Sequence, residues 1–217
     1  MSYKGLPMSE ALQQYMVARS TPVDDVTADL ITETQRALPD SAGMQVAPEQ
    51  AIFLRILTAA VGVRRAVEVG TFTGLSSLSI ARGLAAGGRL ICFDISEEFT
   101  DVARRYWKRA GVDDRIELRI GPAAERLREL PAEPHLDLVF IDADKTGYQT
   151  YWNEMVPRVR QGGLLLVDNT LWSGRVVDPQ GGNDHVIVAF NDMVVADERM
   201  ELVVLPIADG LTIARKL

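Results

Sequence analysis

The sequence is poor in cysteine, in basic charge and in long apolar runs, and each shortage narrows what the protein can be. One cysteine, Cys92, leaves no internal disulfide and no cysteine-based zinc cage, which suits a reducing compartment. It lies inside an apolar run, where burial is the expected role for a thiol. The 23 Lys and Arg stand against 30 Asp and Glu, for a net charge of −7. A chain that must neutralise many phosphates carries the opposite balance, so no nucleic-acid partner is expected. No stretch approaches the roughly 20 apolar residues that cross a bilayer, and the N-terminus lacks a signal-peptide core. A cytoplasmic protein without a membrane partner is the expectation. The two histidines are not expected to be catalytic: His135 precedes a strand, and His185 lies in a loop where it could touch an acceptor.

What is present has the rhythm of an α/β protein, and 217 residues suffice for one domain with a full core. Residues 9 to 62 read as helices. "TPVDDVTADLITETQRAL" is expected to start with Thr21 as cap and Pro22 in the first turn, and "PEQAIFLRILTAAVGV" opens on Pro48. Short apolar runs then alternate with amphipathic stretches: "RAVEVG" (65–70), "RLICFD" (89–94), "RIELRIG" (115–121), "DLVFID" (137–142) and "GGLLLVDN" (162–169). This is the pattern of βαβ units and a mostly parallel sheet with helices on both faces. "MELVVLPI" and "GLTIARKL" follow, separated by Ala208-Asp209, and are expected to pair as a tight antiparallel hairpin. Residues 1–62 are read as a helical extension or lid on an α/β core of 63–217.

In such sheets ligands gather outside the carboxyl ends of the strands. Here those ends carry Gly70, Asp94, Gly121, Asp142 and Asp168-Asn169. "VEVGTFTG" is not the GxGxxG turn that suits a pyrophosphate. With Glu68 two residues before Gly70, it suits a cationic ligand such as S-adenosylmethionine, and the tight turn requires glycine for close approach. Asp94, closing the second run, can accept ribose hydroxyls, though nicotinamide enzymes use the same device, or can serve as a helix cap. Asp142 and Asp168 end the fourth and fifth runs, 26 positions apart. One βαβ crossover spans that distance, so neighbouring strands would bring both carboxylates together, with the Asn169 carbonyl beside them. Three hard oxygen donors suit a divalent ion, Mg²⁺ first, with Ca²⁺ or Mn²⁺ also admissible, and not zinc.

"DADKT" (142–146) also matches the DxDxT loop of haloacid-dehalogenase-type phosphatases. Such a loop should open the catalytic domain, yet four strand-like runs precede it and only 75 residues follow Asp142, so the match reads as accidental. An adenine methyltransferase would need an Asn/Asp-Pro-Pro-aromatic strand end, and the chain contains no Pro-Pro. A non-catalytic nucleoside-binding protein on the same fold is the remaining alternative, but it would need neither acid, nor the amide, nor Lys145.

Taken together, "VEVGTFTGLSSLSIARGL", "DLVFIDADKTGYQTYW", "GGLLLVDNTLWSGRVVDP" and "LPIADGLTIARKL" resemble the cation-dependent O-methyltransferases of the catechol and caffeoyl-CoA type, in particular their small bacterial members. The resemblance covers roughly three quarters of the chain. It implies a Rossmann-like class I methyltransferase fold, S-adenosylmethionine as methyl donor and a vicinal dihydroxy aromatic acceptor. It implies that Asp142, Asp168 and Asn169 hold the metal and that Lys145 is the catalytic base or its electrostatic substitute. Met44, Gln45, Glu68, Gly70, Ser76, Asp94, Ala123, Asp142 and Asp144 would line the donor. Lys145, Tyr148 and Trp172 would stand near the acceptor, although Tyr148 and Trp172 could equally be packing. The variable stretch "DPQGGNDHV" would help choose that acceptor, and a homodimer is expected, with the apolar N-terminal helices able to supply its interface.

Overall fold

A computed structural model describes residues 6–217. Seven strands form one sheet in the order β3-β2-β1-β4-β5-β7-β6. They are β1 (Arg65–Val69), β2 (Arg89–Asp94), β3 (Ile116–Ile120), β4 (Leu136–Ile141), β5 (Val159–Val167), β6 (Met200–Leu205) and β7 (Leu211–Lys216). The first five run parallel, and β7 lies antiparallel between β5 and β6. Helices cover both faces, which is why the central strands carry apolar residues toward both sides, with the buried Glu68 of β1 as an exception. The expected α/β, Rossmann-like architecture with an antiparallel C-terminal hairpin is therefore the one observed.

Strand alternation divides the core in two. Ala66, Leu90, Cys92, Leu138 and Phe140 face a layer built by α2 (Asp25–Ala37), α3 (Pro48–Val61), α4 (Leu75–Gly83) and α5 (Glu97–Ala110). Val67, Val69, Phe93, Val139 and Ile141 face α7 (Tyr148–Met155) and α8 (Asn183–Val195); the short α6 (Ala123–Arg126) borders this layer. Helix α4 is buried along nearly its whole length, and its serines and glycine permit that close fit. A Cβ on Gly83 would come within 2.6 Å of the Arg55 carbonyl oxygen in α3. Leu30 and Leu54, both fully buried, tie α2 and α3 into this layer. These two helices are thus packed into the core. Helix α1 (Glu10–Ala18) differs, since it buries no residue.

Three local expectations are corrected. Helix α2 begins at Asp25, capped by Asp24 and not Thr21: Asp24 accepts the Thr27 N–H at 3.0 Å and pairs with Arg82 of α4 at 2.6 Å. Strand β5 starts at Val159, three residues before the Gly-Gly pair at which the run is expected to begin. Gly162, at φ +74°, sits in an irregularity within the strand where the β4–β5 register shifts. The last hairpin closes through 206–210, not a two-residue turn, because that loop folds back onto the end of β5: Thr170 N–H donates to the Gly210 carbonyl and Leu171 N–H to that of Asp209, both at 3.0 Å.

Candidate active site

The residues that follow the parallel strands form a hydrogen-bonded stair across the carboxyl edge. Gly121 N–H donates to the Asp94 carbonyl (2.9 Å), Gly70 to Phe93 (2.9 Å), Asp142 to Val69 (2.8 Å) and Asp168 to Ile141 (3.0 Å). The tips of β1, β2, β4 and β5 are thereby locked to one another. Gly70 shows how tight the fit is: at φ +90°, a Cβ there would lie 1.9 Å from the Asp142 carbonyl oxygen. A cavity of about 1040 Å³ opens above this edge, where the strand order reverses between β1 and β4.

Of the residues expected at the site, Met44, Gln45, Gly70, Ser76, Asp94, Ala123, Asp142, Asp144, Lys145, Asp168, Asn169 and Trp172 all line this cavity. Gln45 joins the 42–47 segment to the glycine turn, its Nε2 donating to Thr73 Oγ1 at 3.0 Å and Thr34 Oγ1 at 3.2 Å. Asp94 does not cap the helix; Ser96 does, accepting the Phe99 N–H. Instead Asp94 accepts the N–H groups of Thr71, Phe72 and Ser96, each at 2.8 Å, so its carboxylate is fixed by backbone at the mouth of the turn.

Two expected residues are not on the wall. Glu68 is fully buried beneath the turn, because strand alternation points it with Ala66 and Cys92 into the α4 layer. Its carboxylate oxygens have no hydrogen-bond partner, and burial pushes its carboxyl up to about 7, with Ser76, Cys92 and Thr71 partly opposing the shift. Tyr148 is also fully buried and stands behind Lys145, its ring edge-on to Phe190 at 5.3 Å. Its hydroxyl accepts from Lys145 Nζ at 2.6 Å and donates to the Asp168 carbonyl at 3.1 Å.

Lys145 Nζ is the hub of the β4–β5 tips. It also donates to Asn169 Oδ1 (2.6 Å) and the Ala143 carbonyl (3.0 Å), and lies 3.3 Å from Asp142 Oδ1. Asn169 adopts φ +56°, a left-handed conformation that asparagine tolerates, and its N–H donates to Asp168 Oδ1 at 2.7 Å. Burial, followed by repulsion from Asp142, pushes the Asp168 carboxyl up to about 7. Burial also raises Asp142, against the pull of Lys145. Two acids so placed share one ammonium, which leaves the cluster short of positive charge. Among the described residues no three His, Cys, Asp or Glu side chains gather into a metal cage. The donor set available is two carboxylates and one amide.

A family model described as O-methyltransferase matches residues 18–217. The chain belongs to the O-methyltransferase family. It is 37% identical over 215 residues to the Dictyostelium discoideum protein named "Probable caffeoyl-CoA O-methyltransferase 1", a match that covers 96% of this chain and 93% of that one. It is 35% identical to tricin synthase 2 of Oryza sativa subsp. japonica, across 100% of this chain and 78% of that protein. The crystal structure of the Bacillus cereus O-methyltransferase in complex with SAH superposes with a TM-score of 0.86 at 30% identity, covering 95% of this chain and 97% of the other.

Several wall residues of this O-methyltransferase escaped the reading of its sequence. Gln50 is fully buried beside Asp168, and neither of its amide atoms has a hydrogen-bond partner. The signal was there: Gln50, Leu54 and Thr58 lie at i, i+4 and i+8, so a polar side chain falls on the inward stripe of α3. Phe72 and Phe99 pack edge-on at 4.9 Å on the same wall, and Asp209 enters it from the hairpin loop. Trp172, at φ +47°, is held by its indole N–H to Asp184 Oδ1 at 2.8 Å, while Arg175 lies 5.0 Å from its ring centroid. His135 and His185 lie off this wall, and His185 stands in α8, not in the expected loop. No described helix is long and apolar enough to cross a membrane.

Proposed function

We propose that the protein transfers the methyl group of S-adenosylmethionine to one hydroxyl of a vicinal dihydroxy aromatic small molecule, with a divalent cation, Mg²⁺ by preference, at the tips of β4 and β5. The observation that carries this reading is the meeting of Asp142, Asp168, Asn169 and Lys145 on the wall of the cavity that also contains Asp94 and the Gly70 turn. The oxygen cluster already accepts a cation in the form of the Lys145 ammonium, and its two carboxyls are both displaced upward by burial. A divalent ion fits that deficit. Asp142, Asp168 and Asn169 would hold it, and it would supply the positive charge that favours ionisation of an acceptor hydroxyl.

The chain's own groups supply the rest. The Asp94 carboxylate, fixed by three backbone N–H groups, would accept ribose hydroxyls of the donor without reorganising. The wide cavity would place donor and acceptor in contact and exclude water, which counts most in a reaction where opposite charges are neutralised. Lys145, held by Tyr148 and the Ala143 carbonyl, would as an ammonium orient the acceptor hydroxyl while its proton leaves to solvent, or, once it has released its own proton beside a bound divalent ion, take the hydroxyl proton on Nζ as the neutral amine. Trp172, with Lys145 Nζ 5.9 Å from its ring centroid, would offer the acceptor ring an aromatic wall.

The named relatives include a caffeoyl-CoA enzyme and a tricin synthase, which supports a small aromatic acceptor without choosing one. A homodimer is also proposed: α1 buries nothing and exposes Tyr15, Met16 and Val17. Labelled donor incubated with Mg²⁺ and a panel of catechols tests the assignment. Labelled product from vicinal diols, and none from isolated phenols, is the expected result.

A further inference from the structure

A second cavity, of about 600 Å³, lies at the opposite edge of the sheet and belongs to none of this chemistry. Its size is within the range of small-molecule sites. Its wall forms where four strands begin: Arg65 opens β1, Arg89 opens β2, Ile116 opens β3 and Leu136 opens β4. The length of β1, roughly 16 Å at ~3.3 Å per residue, separates it from the catalytic cavity.

Arg65 and Arg89 are register partners on adjacent parallel strands. Like charges set opposite one another destabilise a sheet. Arg64, on the same wall, adds a third. The neighbouring carboxylates do not relieve them. Glu117 accepts from Arg119 at 2.7 Å. Asp137 is taken by the backbone N–H groups of Arg64 and Arg65, each at 2.8 Å, and by Arg160 at 2.6 Å. Among the described residues no ion pair is formed by Arg64, Arg65 or Arg89. Three cations without an ion-pair partner thus meet at one concavity of a chain whose net charge is −7, Arg64 donating only a 3.4 Å hydrogen bond to the Ala86 carbonyl. Ile91 and Ile116 add apolar surface to the same wall.

We propose that this amino-edge cavity is a second ligand site, which binds a small organic phosphate. The guanidinium fork matches phosphate oxygens in pairs, and a bound polyanion turns the repulsion between Arg65 and Arg89 into shared attraction. Ile91, two residues after Arg89 and so on the same sheet face as both arginines, receives the organic part.

The test is calorimetric titration of the full chain with ADP and with inorganic pyrophosphate, beside the Arg65→Gln/Arg89→Gln double variant. Binding by the native chain, weakened about tenfold or more in the variant, is expected, as charge-assisted hydrogen bonds are lost. Saturation with S-adenosylhomocysteine should leave it unchanged. Without any anion the variant should melt at or above the native temperature, because the like-charge pair is gone, and only the native chain should gain melting temperature from pyrophosphate. Tighter binding of ADP than of pyrophosphate supports the role of Ile91; equal binding would overturn the organic part of the ligand. Equal affinity in native and variant chains, displacement of ADP by S-adenosylhomocysteine, or a variant that does not fold would each overturn the proposal.

Discussion

At their carboxyl ends the parallel strands present Asp94, Asp142 and Asp168, and at their amino ends Arg65 and Arg89, so the two edges of one sheet differ in charge. They differ also in how that charge is held. Asp94 accepts three backbone N–H groups, Asp168 accepts that of Asn169, and Lys145 bridges Asp142 to Asn169. The arginines at the other edge have no carboxylate partner. The carboxyl edge is therefore preorganised by the fold itself, as transition-state stabilisation demands. The amino edge is left electrostatically open.

The sharpest way to break this contrast is Asp142→Ala, which removes one of two buried acids and, with it, the proposed metal position. Turnover measured with labelled donor should fall on the order of a thousandfold or more, about 4 kcal/mol of barrier. Next comes Gly70→Ala, whose Cβ would press on the Asp142 carbonyl at a positive φ. Its melting curve should show a loss of at least about 3 kcal/mol, and calorimetry should show loss of donor binding. Lys145→Ala should lower kcat by about a hundredfold to ten-thousandfold, with donor affinity changing far less. A collapse of donor affinity with kcat preserved would reassign Lys145 to cofactor binding.

The smallest effect is on stability against pH. The Glu68 carboxyl, ordinarily near 4.5, is pushed up to about 7 in the folded chain. Between those values the folded state holds a proton that the unfolded state has lost. Its contribution is thus full below about pH 4.5, falls as pH rises and is gone above about pH 7. Glu68→Gln should flatten this part of the slope and raise stability at pH 8 by up to about 3 kcal/mol. Asp168, also pushed up to about 7, keeps its share in the metal-free protein. A chemical denaturation series from pH 4 to 8 on both chains checks it, and parallel slopes would contradict the burial argument.

Much of the carboxyl edge was legible because strand alternation, a glycine turn and a crossover spacing are local features. Asp142 and Asp168 could be paired from their separation of 26 positions alone, since one βαβ unit determines their neighbourhood. The inward face chosen by Glu68 was not read, although its period-two spacing with Ala66 predicts it. Tyr148 could not be placed, because a helix turn decides whether its ring points to the cavity or to Phe190. The arginine cluster stood in plain view at the starts of "RAVEVG" and "RLICFD". Its meaning needed the register that sets Arg65 beside Arg89. The hairpin loop and the start of β5 were misjudged because glycine signals a break locally, while tertiary hydrogen bonds decide where the strand ends.

The most direct measurement is methyl transfer to a catechol by the full chain, stripped with EDTA and then given back Mg²⁺. The predicted result is loss of product on chelation and recovery on metal return, with donor binding retained throughout. Undiminished transfer by the stripped enzyme would contradict the assignment of Asp142, Asp168 and Asn169.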